Sequence, residues 1–188
     1  MIELKVATIE DIEDTLELHS KYQIDGIAEE DKADGFVTTA FTTQELKDII
    51  QKEQGLFIAK DGDKVVAYVM AASWQFWSAW PMFAYMIDEL DKCEFAGEKL
   101  TVDNSYQYGP ICIDKAYRGT QLLKDIFFYA LEKMSKRYPI LVTFVNKQNP
   151  RSFEAHTRKL GLEVATEFEY TGKQYYELCC LTSNKPTT

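Results

Sequence analysis

Hydrophobic patterning predicts a strand followed by two helices at the start of the chain. Apolar and polar residues alternate over 2–7, which is the period of a half-buried strand. Thr8, with Asp11 three residues later, is typical of a helix N-terminus closed by a capping box. A second helix is expected to begin at Thr42 or Thr43. The inner face of the first helix is predicted to carry Ile12, Leu16 and either Leu18 or His19.

Two β-hairpins are predicted, one before the middle of the chain and one at its end. Two β-rich runs, 56–59 and 65–72, flank an Asp-Gly turn, which is a strong hairpin signal. The runs 163–170 and 174–181 flank a Thr-Gly turn in the same way.

Two strand–helix pairs are predicted between the hairpins. The strands are expected over 106–113 and 140–145, the second as a near-continuous apolar run of the buried kind. Helical spacing of apolar residues covers 119–137, and a shorter helix over 149–160 has Pro150 at its first position. With an irregular insertion before the 106–113 strand, the predicted order is β-α-α-β-β-insertion-β-α-β-α-β-β.

Composition indicates one compact domain without a membrane span. At 188 residues and 46% hydrophobic, the chain can bury one sizeable core. The most apolar stretch, 65–81, is interrupted by polar residues and is too mixed to cross a bilayer. The acidic first 14 residues are unlike a signal peptide, so we expect a cytoplasmic location. The cysteines lack metal-site spacing, so we expect reduced, buried thiols and no metal: Cys93, Cys112, Cys179 and Cys180.

Positive charge is concentrated in one part of an acidic chain. The net charge is -9, yet residues 114–161 contain ten Lys/Arg against four Asp/Glu, a local balance of +6. The simplest explanation is a chance run of solvated helix faces. The alternative is local attraction for a small phosphorylated cofactor. Nucleic acid fits poorly, because the acidic remainder would repel a long phosphate backbone.

The turn before the 119–137 helix is the best candidate for phosphate binding. A strand that leads directly into a helix leaves the first helical N–H groups unpaired, and the helix dipole favours an anion there. Gly119 allows close backbone approach, and Thr120 and Gln121 add polar side chains. A β-α junction with a glycine is also common without any ligand.

Two segments resemble motifs of the GNAT superfamily of acyltransferases. Residues 113–124, IDKAYRGTQLLK, are similar to its motif A, in which a strand ends in a Tyr-Arg-Gly turn before a helix. Residues 149–162 contain Asn-Pro-Arg-Ser and then a Leu-Gly-Leu corner, as in the later family pattern. The element order agrees over most of 1–182 and agrees least within 75–104.

The resemblance implies an α/β (α+β) fold with a mixed sheet of about seven strands and about four helices. It implies one domain over 1–182, with an insertion at 75–104 near the acceptor and a tail at 183–188. The implied activity is acetyl transfer from acetyl-CoA directly to an amine of a small molecule or peptide. The implied cofactor-binding residues are Ile111, Cys112, Ile113, Arg118, Gly119, Thr120, Gln121, Leu122, Leu123, Asn149 and Ser152.

Two positions depart from the family pattern. Gln121 and Leu123 stand where the usual motif has small residues, and their side chains could crowd the pyrophosphate. This departure supports an alternative function, an acyl-CoA-binding sensor or interaction module that has lost catalysis. For Asn149, a helix N-cap is as good an explanation as contact with the cofactor arm.

The general acid and base remain open among several residues. The family acid is commonly a Tyr on the last helix, and here that position falls on His156 or Thr157, depending on the end from which the helix is counted. A histidine can donate a proton near neutral pH, whereas a packing or helix-capping role is the simpler explanation for His156. The other candidates are Tyr170, Tyr175 and Tyr176 as acids and Tyr106, Tyr108 or Asp103 as bases.

The predicted partners are acetyl-CoA and an unidentified amine, with no nucleic acid and no membrane. The loops expected to frame the amine are the irregular 22–41 connection and the 74–104 insertion, which contains a short helix over 82–90. The aromatic cluster of the insertion is more simply explained as core or as a homodimer contact. Its members are Trp74, Phe76, Trp77, Trp80, Phe83 and Tyr85.

Overall fold

The computed structural model describes residues 1–34 and 36–187. Its strands are β1 (Ile2–Val6), β2 (Leu56–Asp61), β3 (Lys64–Ala72), β4 (Glu94–Phe95), β5 (Glu98–Lys99), β6 (Ser105–Ile113), β7 (Ile140–Asn146), β8 (Glu163–Tyr170) and β9 (Lys173–Leu181). Its helices are α1 (Ile12–Tyr22), α2 (Thr43–Asp48), α3 (Trp74–Trp77), α4 (Pro81–Glu89), α5 (Leu122–Ser135) and α6 (Pro150–Glu154). Gly35, in the predicted 22–41 connection, and Thr188, in the predicted tail, lie outside the described residues.

The strands form a mixed sheet of the predicted kind. Seven of them pair in the order β1-β2-β3-β6-β7-β9-β8, and β4 pairs with β5 in a separate small hairpin. β6 and β7 are parallel, with Ser105 opposite Ile140. The pairs β1–β2, β2–β3, β7–β9 and β8–β9 are antiparallel. The predicted fold class and element order are confirmed, whereas the small β4–β5 hairpin was not predicted.

The chain divides into two compact units, each built from two segments. Unit 1 comprises Met1–Ala71 and Gly109–Ala130, and unit 2 comprises Ala72–Tyr108 and Leu131–Thr188. Each unit is discontinuous in sequence because β6 and α5 contribute residues to both. The expectation of a single domain over 1–182 stays a prediction.

Side-chain caps start the two N-terminal helices in unit 1. The Thr8 amide donates to the Asp11 carboxylate at 2.8 Å, which confirms the predicted capping box, here at the 3-10 turn Ile9–Asp11 that leads directly into α1. The ammonium of Lys5 lies 2.9 Å from the same carboxylate. The Thr42 hydroxyl accepts from the Glu45 amide at 3.1 Å, so Thr42, not Thr43, is the second cap.

The buried face of α1 differs in one position from its prediction. Leu18 and His19 are both buried, whereas Leu16 is only half-buried. Thr15 takes the inner position instead because its hydroxyl donates to the Asp11 carbonyl at 2.7 Å, which satisfies a polar group inside the core.

Helix α5 is shorter at both ends than predicted. It begins at Leu122 instead of Gly119 and ends at Ser135 instead of Arg137. Gly119 has a φ of +78°, which is outside the helical region. The Thr120 hydroxyl accepts from the Leu122 amide at 3.3 Å and so supports the true start of the helix.

In unit 2, the insertion forms part of the core. The indole N–H of Trp74 donates to the Ser105 hydroxyl at 2.9 Å, and that of Trp77 donates to the Gln107 carbonyl at 3.1 Å. Both rings are fully buried, and buried indoles need such partners. Trp74 and Trp77 are therefore core residues, as expected for the aromatic cluster. The predicted 82–90 helix is α4, shifted by one residue.

The remaining predictions for unit 2 are close to the observed elements. The last hairpin turns at Thr171 and Gly172, which have φ angles of 49° and 78°. Two consecutive positive angles match the twist of a hairpin and favour Gly at the second position.

In the described part of the chain, no helix combines the length and apolar character needed to cross a membrane.

Candidate functional site

The turn between β6 and α5 is held in place by contacts within unit 1. Asp114 directly follows β6, and its carboxylate accepts from the Lys21 ammonium at 2.8 Å and from the Ala116 amide at 3.1 Å. The Tyr117 hydroxyl donates to the Asp61 carboxylate at 2.8 Å. The turn is therefore fixed to α1 and β2 before any ligand binds.

Arg118 is positioned by its guanidinium group. Its Nε atom donates to the Ile113 carbonyl at 3.0 Å, and the group lies 4.7 Å from the centre of the Tyr22 ring. The Tyr22 hydroxyl accepts from the Lys115 amide at 2.7 Å. These contacts combine a cation–π interaction with hydrogen bonds, so Arg118 adds positive charge at a defined place.

The next residues present open backbone at the start of α5. Gly119, Thr120 and Gln121 are exposed. A Cβ atom added to Gly119 would meet no atom within 4 Å, so the glycine is needed for its positive φ and not for a close contact within the protein. The first amides of α5 have no partner inside the helix.

The two departures from the family pattern have different surroundings. The Gln121 side chain is exposed, so it can turn towards solvent. Leu122 is buried, and Leu123 is half-buried. The predicted crowding at this turn therefore rests mainly on Leu123, whose side chain has less freedom to move.

The three β6 residues predicted to line the cofactor do not share a face. Side chains alternate along a strand, so Cys112 points to the face opposite that of Ile111 and Ile113. Cys112 and Ile113 are buried, and burial raises the pKa of the Cys112 thiol to about 12. A single ligand can therefore meet all three only through their backbone.

In unit 2, the structure brings Tyr108 and His156 together. The Nε2 atom of His156 lies 3.3 Å from the Tyr108 hydroxyl oxygen, and Nδ1 lies 2.8 Å from the Ser152 carbonyl oxygen. A carbonyl can only accept, so Nδ1 carries the hydrogen and Nε2 is left as an acceptor. The Tyr108 hydroxyl therefore donates to His156.

Burial keeps both members of this pair neutral. Tyr108 is 2% exposed and His156 is 6% exposed. Burial lowers the pKa of the imidazole, only partly opposed by the bond to Ser152, and raises the pKa of the Tyr108 hydroxyl well above its ordinary value. The resting imidazole is thus a proton acceptor and not a proton donor.

A π-helical turn after α6 explains why the position of the family acid fell on either His156 or Thr157. α6 continues as a π turn over Ala155–Lys159, with the Leu160 amide bonded to the Ala155 carbonyl at 3.1 Å. Such a turn takes up one extra residue. It directs His156 towards Tyr108, whereas the Thr157 hydroxyl donates back to the Phe153 carbonyl at 2.7 Å. His156, and not Thr157, meets the neighbouring strand.

The two other predicted residues of α6 hold the helix end. The Asn149 side chain accepts from the Ser152 amide at 3.2 Å, so its N-cap role is observed. The Ser152 hydroxyl lies 3.3 Å from Nδ1 of His156. Ser152 therefore orients the imidazole with its hydroxyl as well as its carbonyl, a role that the sequence did not indicate.

The remaining tyrosines are placed apart from this pair. Tyr170 packs against Tyr85 of α4, with ring centres 5.3 Å apart, and Tyr175 stacks on Phe168. Tyr176 points to the other face of β9 and packs on Phe153 of α6 at 4.6 Å. Tyr170 therefore lies on the α4 side of the sheet, and His156 belongs to a helix on the opposite side.

The two other candidate bases, Tyr106 and Asp103, differ in their exposure to solvent. Tyr106 is fully buried against Tyr138, with ring centres 5.6 Å apart, and Asp103 is exposed before β6. Within the described residues, no group of three or more His, Cys, Asp or Glu side chains is arranged to hold a metal ion. The four cysteines are free and buried.

Comparisons with known proteins identify the fold. No family model and no curated protein matches the sequence. Among solved structures, YncA from Salmonella typhimurium, solved with its cofactor acetyl-CoA, is 11% identical with a TM-score of 0.64, covering 98% of this chain and 95% of that one. The Escherichia coli ribosomal-protein-S18-alanine N-acetyltransferase is 11% identical with a TM-score of 0.62, covering 98% and 96%. A GNAT-family acetyltransferase from Streptococcus pneumoniae is 14% identical with a TM-score of 0.62, covering 96% and 99%.

The chain has the GNAT fold. The resemblance noted in the sequence is thus confirmed as a fold, over nearly the whole chain. The turn that resembles motif A belongs to unit 1, and the Tyr108–His156 pair belongs to unit 2.

One polar residue of unit 2 was missed by the sequence analysis. Glu177 is 6% exposed on β9, and its Oε1 atom has no hydrogen-bond partner among the described residues. A signal was available, because a lone carboxylate interrupts the otherwise apolar and aromatic run of this strand.

Proposed function

We propose that this GNAT chain is an N-acetyltransferase that uses acetyl-CoA as its acyl donor. The observation that carries the proposal is the fixed β6–α5 turn, where the exposed Gly119, with a positive φ, stands just before the first turn of α5. Helix N-termini of this kind bind phosphate groups. YncA, which shares the fold, was solved with acetyl-CoA.

The pyrophosphate of the coenzyme would be held by backbone amides of Gly119, Thr120, Gln121 and Leu123. The Arg118 and Leu122 amides already donate to the Lys115 carbonyl and the Thr120 hydroxyl. The exposed Gly119 and the absence of any described atom near its Cβ position leave room for a phosphate oxygen. The Arg118 guanidinium is restrained on Tyr22 and contributes charge nearby. Ile111, Cys112 and Ile113 would meet the pantetheine arm through their backbone. The cofactor contacts of Asn149 and Ser152 stay predictions from the sequence.

The Tyr108–His156 pair would move the proton during transfer. The neutral amine attacks the thioester carbonyl, the C–S bond breaks, and the attacking nitrogen loses a proton that the coenzyme thiolate finally takes up. His156 can receive that proton at Nε2 through the Tyr108 hydroxyl, because Nε2 accepts a hydrogen bond in the resting structure. The Ser152 carbonyl then stabilises the imidazolium through Nδ1.

The acceptor would be an amine of a small molecule or peptide. The solved structures with this fold include an enzyme that acetylates an alanine of ribosomal protein S18. A second candidate is a sensor that binds acetyl-CoA without turnover. The deep burial of Tyr108 and His156 favours this second candidate, since substrate must reach them.

Calorimetry and a turnover assay separate these functions. We expect acetyl-CoA to bind and coenzyme A to be released with at least one member of a broad amine panel. Tight binding without turnover would select the sensor. The absence of binding would contradict both functions.

A further inference from the structure

A buried carboxylate without a partner lies on the face of unit 2 opposite α6. Glu177 stands between Phe144 of β7 and Thr166 of β8 in the sheet register. Its side chain points away from the α6 side, because the preceding residue, Tyr176, packs on Phe153 of α6. Leaving one oxygen of a buried carboxyl unpaired costs free energy, so the structure needs a reason for it.

The Glu177 side chain lines a cavity of about 90 Å³. Tyr85 and Met86 of α4 form one wall, and Phe168 and Thr166 of β8 form another. Cys93 also lines the cavity. Tyr85 and Phe168 are half-buried, with ring centres 6.2 Å apart, so the cavity is bounded by aromatic surface.

The other charges at the cavity are paired. The Lys92 ammonium lies 2.9 Å from the Glu89 carboxylate, and Lys147 forms an ion pair with Glu167. No described cation is paired with Glu177. The cavity therefore presents one deep, uncompensated carboxylate between aromatic rings, with neutralised charges at its rim.

We propose that this cavity binds a small primary alkylammonium ion, with Glu177 as its carboxylate partner. An ammonium donates hydrogen bonds to Oε1 of Glu177, and its positive charge is attracted to the aromatic walls. A metal ion is a poorer occupant, because the described residues hold no group of three suitable ligands.

This site is separate from the proposed acetyl-transfer chemistry. The cavity is on the α4 side of the sheet, and the Tyr108–His156 pair involves the helix on the other side. The inference therefore goes beyond the proposed function, and a binding measurement tests it without reference to turnover.

Protonation of Glu177 supplies a specific signature of binding. Burial raises the pKa of Glu177 to about 7. The ionisable groups around it include the Cys93 and Cys179 thiols, whose pKa values are raised by burial. The others are the Tyr85 hydroxyl and the paired residues at the rim of the cavity, Glu89, Lys92 and Glu167. Below the pKa of Glu177, an entering ammonium must displace the carboxyl proton. Above it, no proton is displaced.

The experiment is a calorimetric titration of the full chain with propylammonium chloride, in buffers of different ionisation enthalpy. We expect release of about one proton per ligand near pH 6 and almost none near pH 8.5, with at least about tenfold tighter binding at the higher pH. Butanol, which has a similar shape but no charge, should not bind. Equal proton release at the two pH values would overturn the proposal.

A matched pair of variants assigns the binding to Glu177. Glu177→Gln should weaken propylammonium binding at least about tenfold near pH 8.5, whereas Glu169→Gln, on the exposed part of the same hairpin, should leave it unchanged. If Glu177→Gln did not fold, Tyr85→Leu should weaken binding several-fold by removing an aromatic wall. Unaltered affinity in the folded variant would show that the ammonium binds elsewhere.

Discussion

The Tyr108 hydroxyl donates to Nε2 of His156 across 3.3 Å, and the imidazole is fixed from its other side by Ser152. This arrangement makes His156 an acceptor in the resting protein. The sequence indicated His156 as a candidate general acid. In our proposal, His156 must first receive a proton as a base before it can donate one as an acid.

The first prediction concerns Tyr108. Tyr108→Phe keeps the buried ring and removes the hydroxyl that we propose as the proton path to His156. We therefore expect kcat to fall about 10²-fold with acetyl-CoA affinity nearly unchanged. Tyr138→Phe, which removes another hydroxyl in unit 2, is the control and should change neither quantity. Steady-state kinetics and calorimetry check this, and an equal loss in both variants would point to packing alone.

The second prediction concerns the pH dependence of the rate. Burial lowers the pKa of His156 below its ordinary value, and a protonated imidazole cannot accept the amine proton. The rate should therefore fall as pH decreases through a value below about 6.5. His156→Gln should lack this acidic limb and have a kcat lower by about 10²-fold. An unchanged profile in the variant would assign the limb to another group.

The third prediction uses two glycines with the same backbone angle. Gly119 and Gly172 both have a φ of 78° and open space at the Cβ position. Gly119→Trp should weaken coenzyme A binding at least about tenfold by blocking the turn, whereas Gly172→Trp should not. Both changes should cost about 1 kcal/mol of stability from strain. Thermal unfolding and calorimetry on the pair separate the two effects.

The fourth prediction concerns stability and Glu177. Its pKa is raised by burial to about 7 in the folded chain, from 4.5. The folded state therefore binds more protons than the unfolded state between these values, and stability falls as pH rises through this window. Glu177→Gln should stabilise the fold by about 2 kcal/mol near pH 8.5 and by much less near pH 5. Denaturant unfolding at both pH values checks this.

The order of elements was predictable because local signals agreed with the fold. The Thr8 and Thr42 caps and the glycine turns each specify a boundary from neighbouring residues alone. The alternating and helical periods then placed the strands and helices between them. Where local chemistry determines a boundary, the sequence was sufficient.

The site was less predictable because its geometry depends on contacts distant in sequence. The Tyr108–His156 contact joins residues 48 apart, and the π turn that directs His156 leaves no clear local pattern. The start of α5 was predicted at Gly119, although the apolar period begins only at Leu122, where the helix starts. The cavity at Glu177 was likewise not predictable, because residues of both α4 and β8 form its walls.

We propose that the β6–α5 turn holds coenzyme A. The most direct test is a coenzyme A titration followed by amide NMR shifts of the isotopically labelled chain. The proposal predicts that the largest shifts occur at the amides from Gly119 to Leu123, saturating with the calorimetric affinity. Saturable shifts that leave these amides unmoved, or no binding at all, would contradict it.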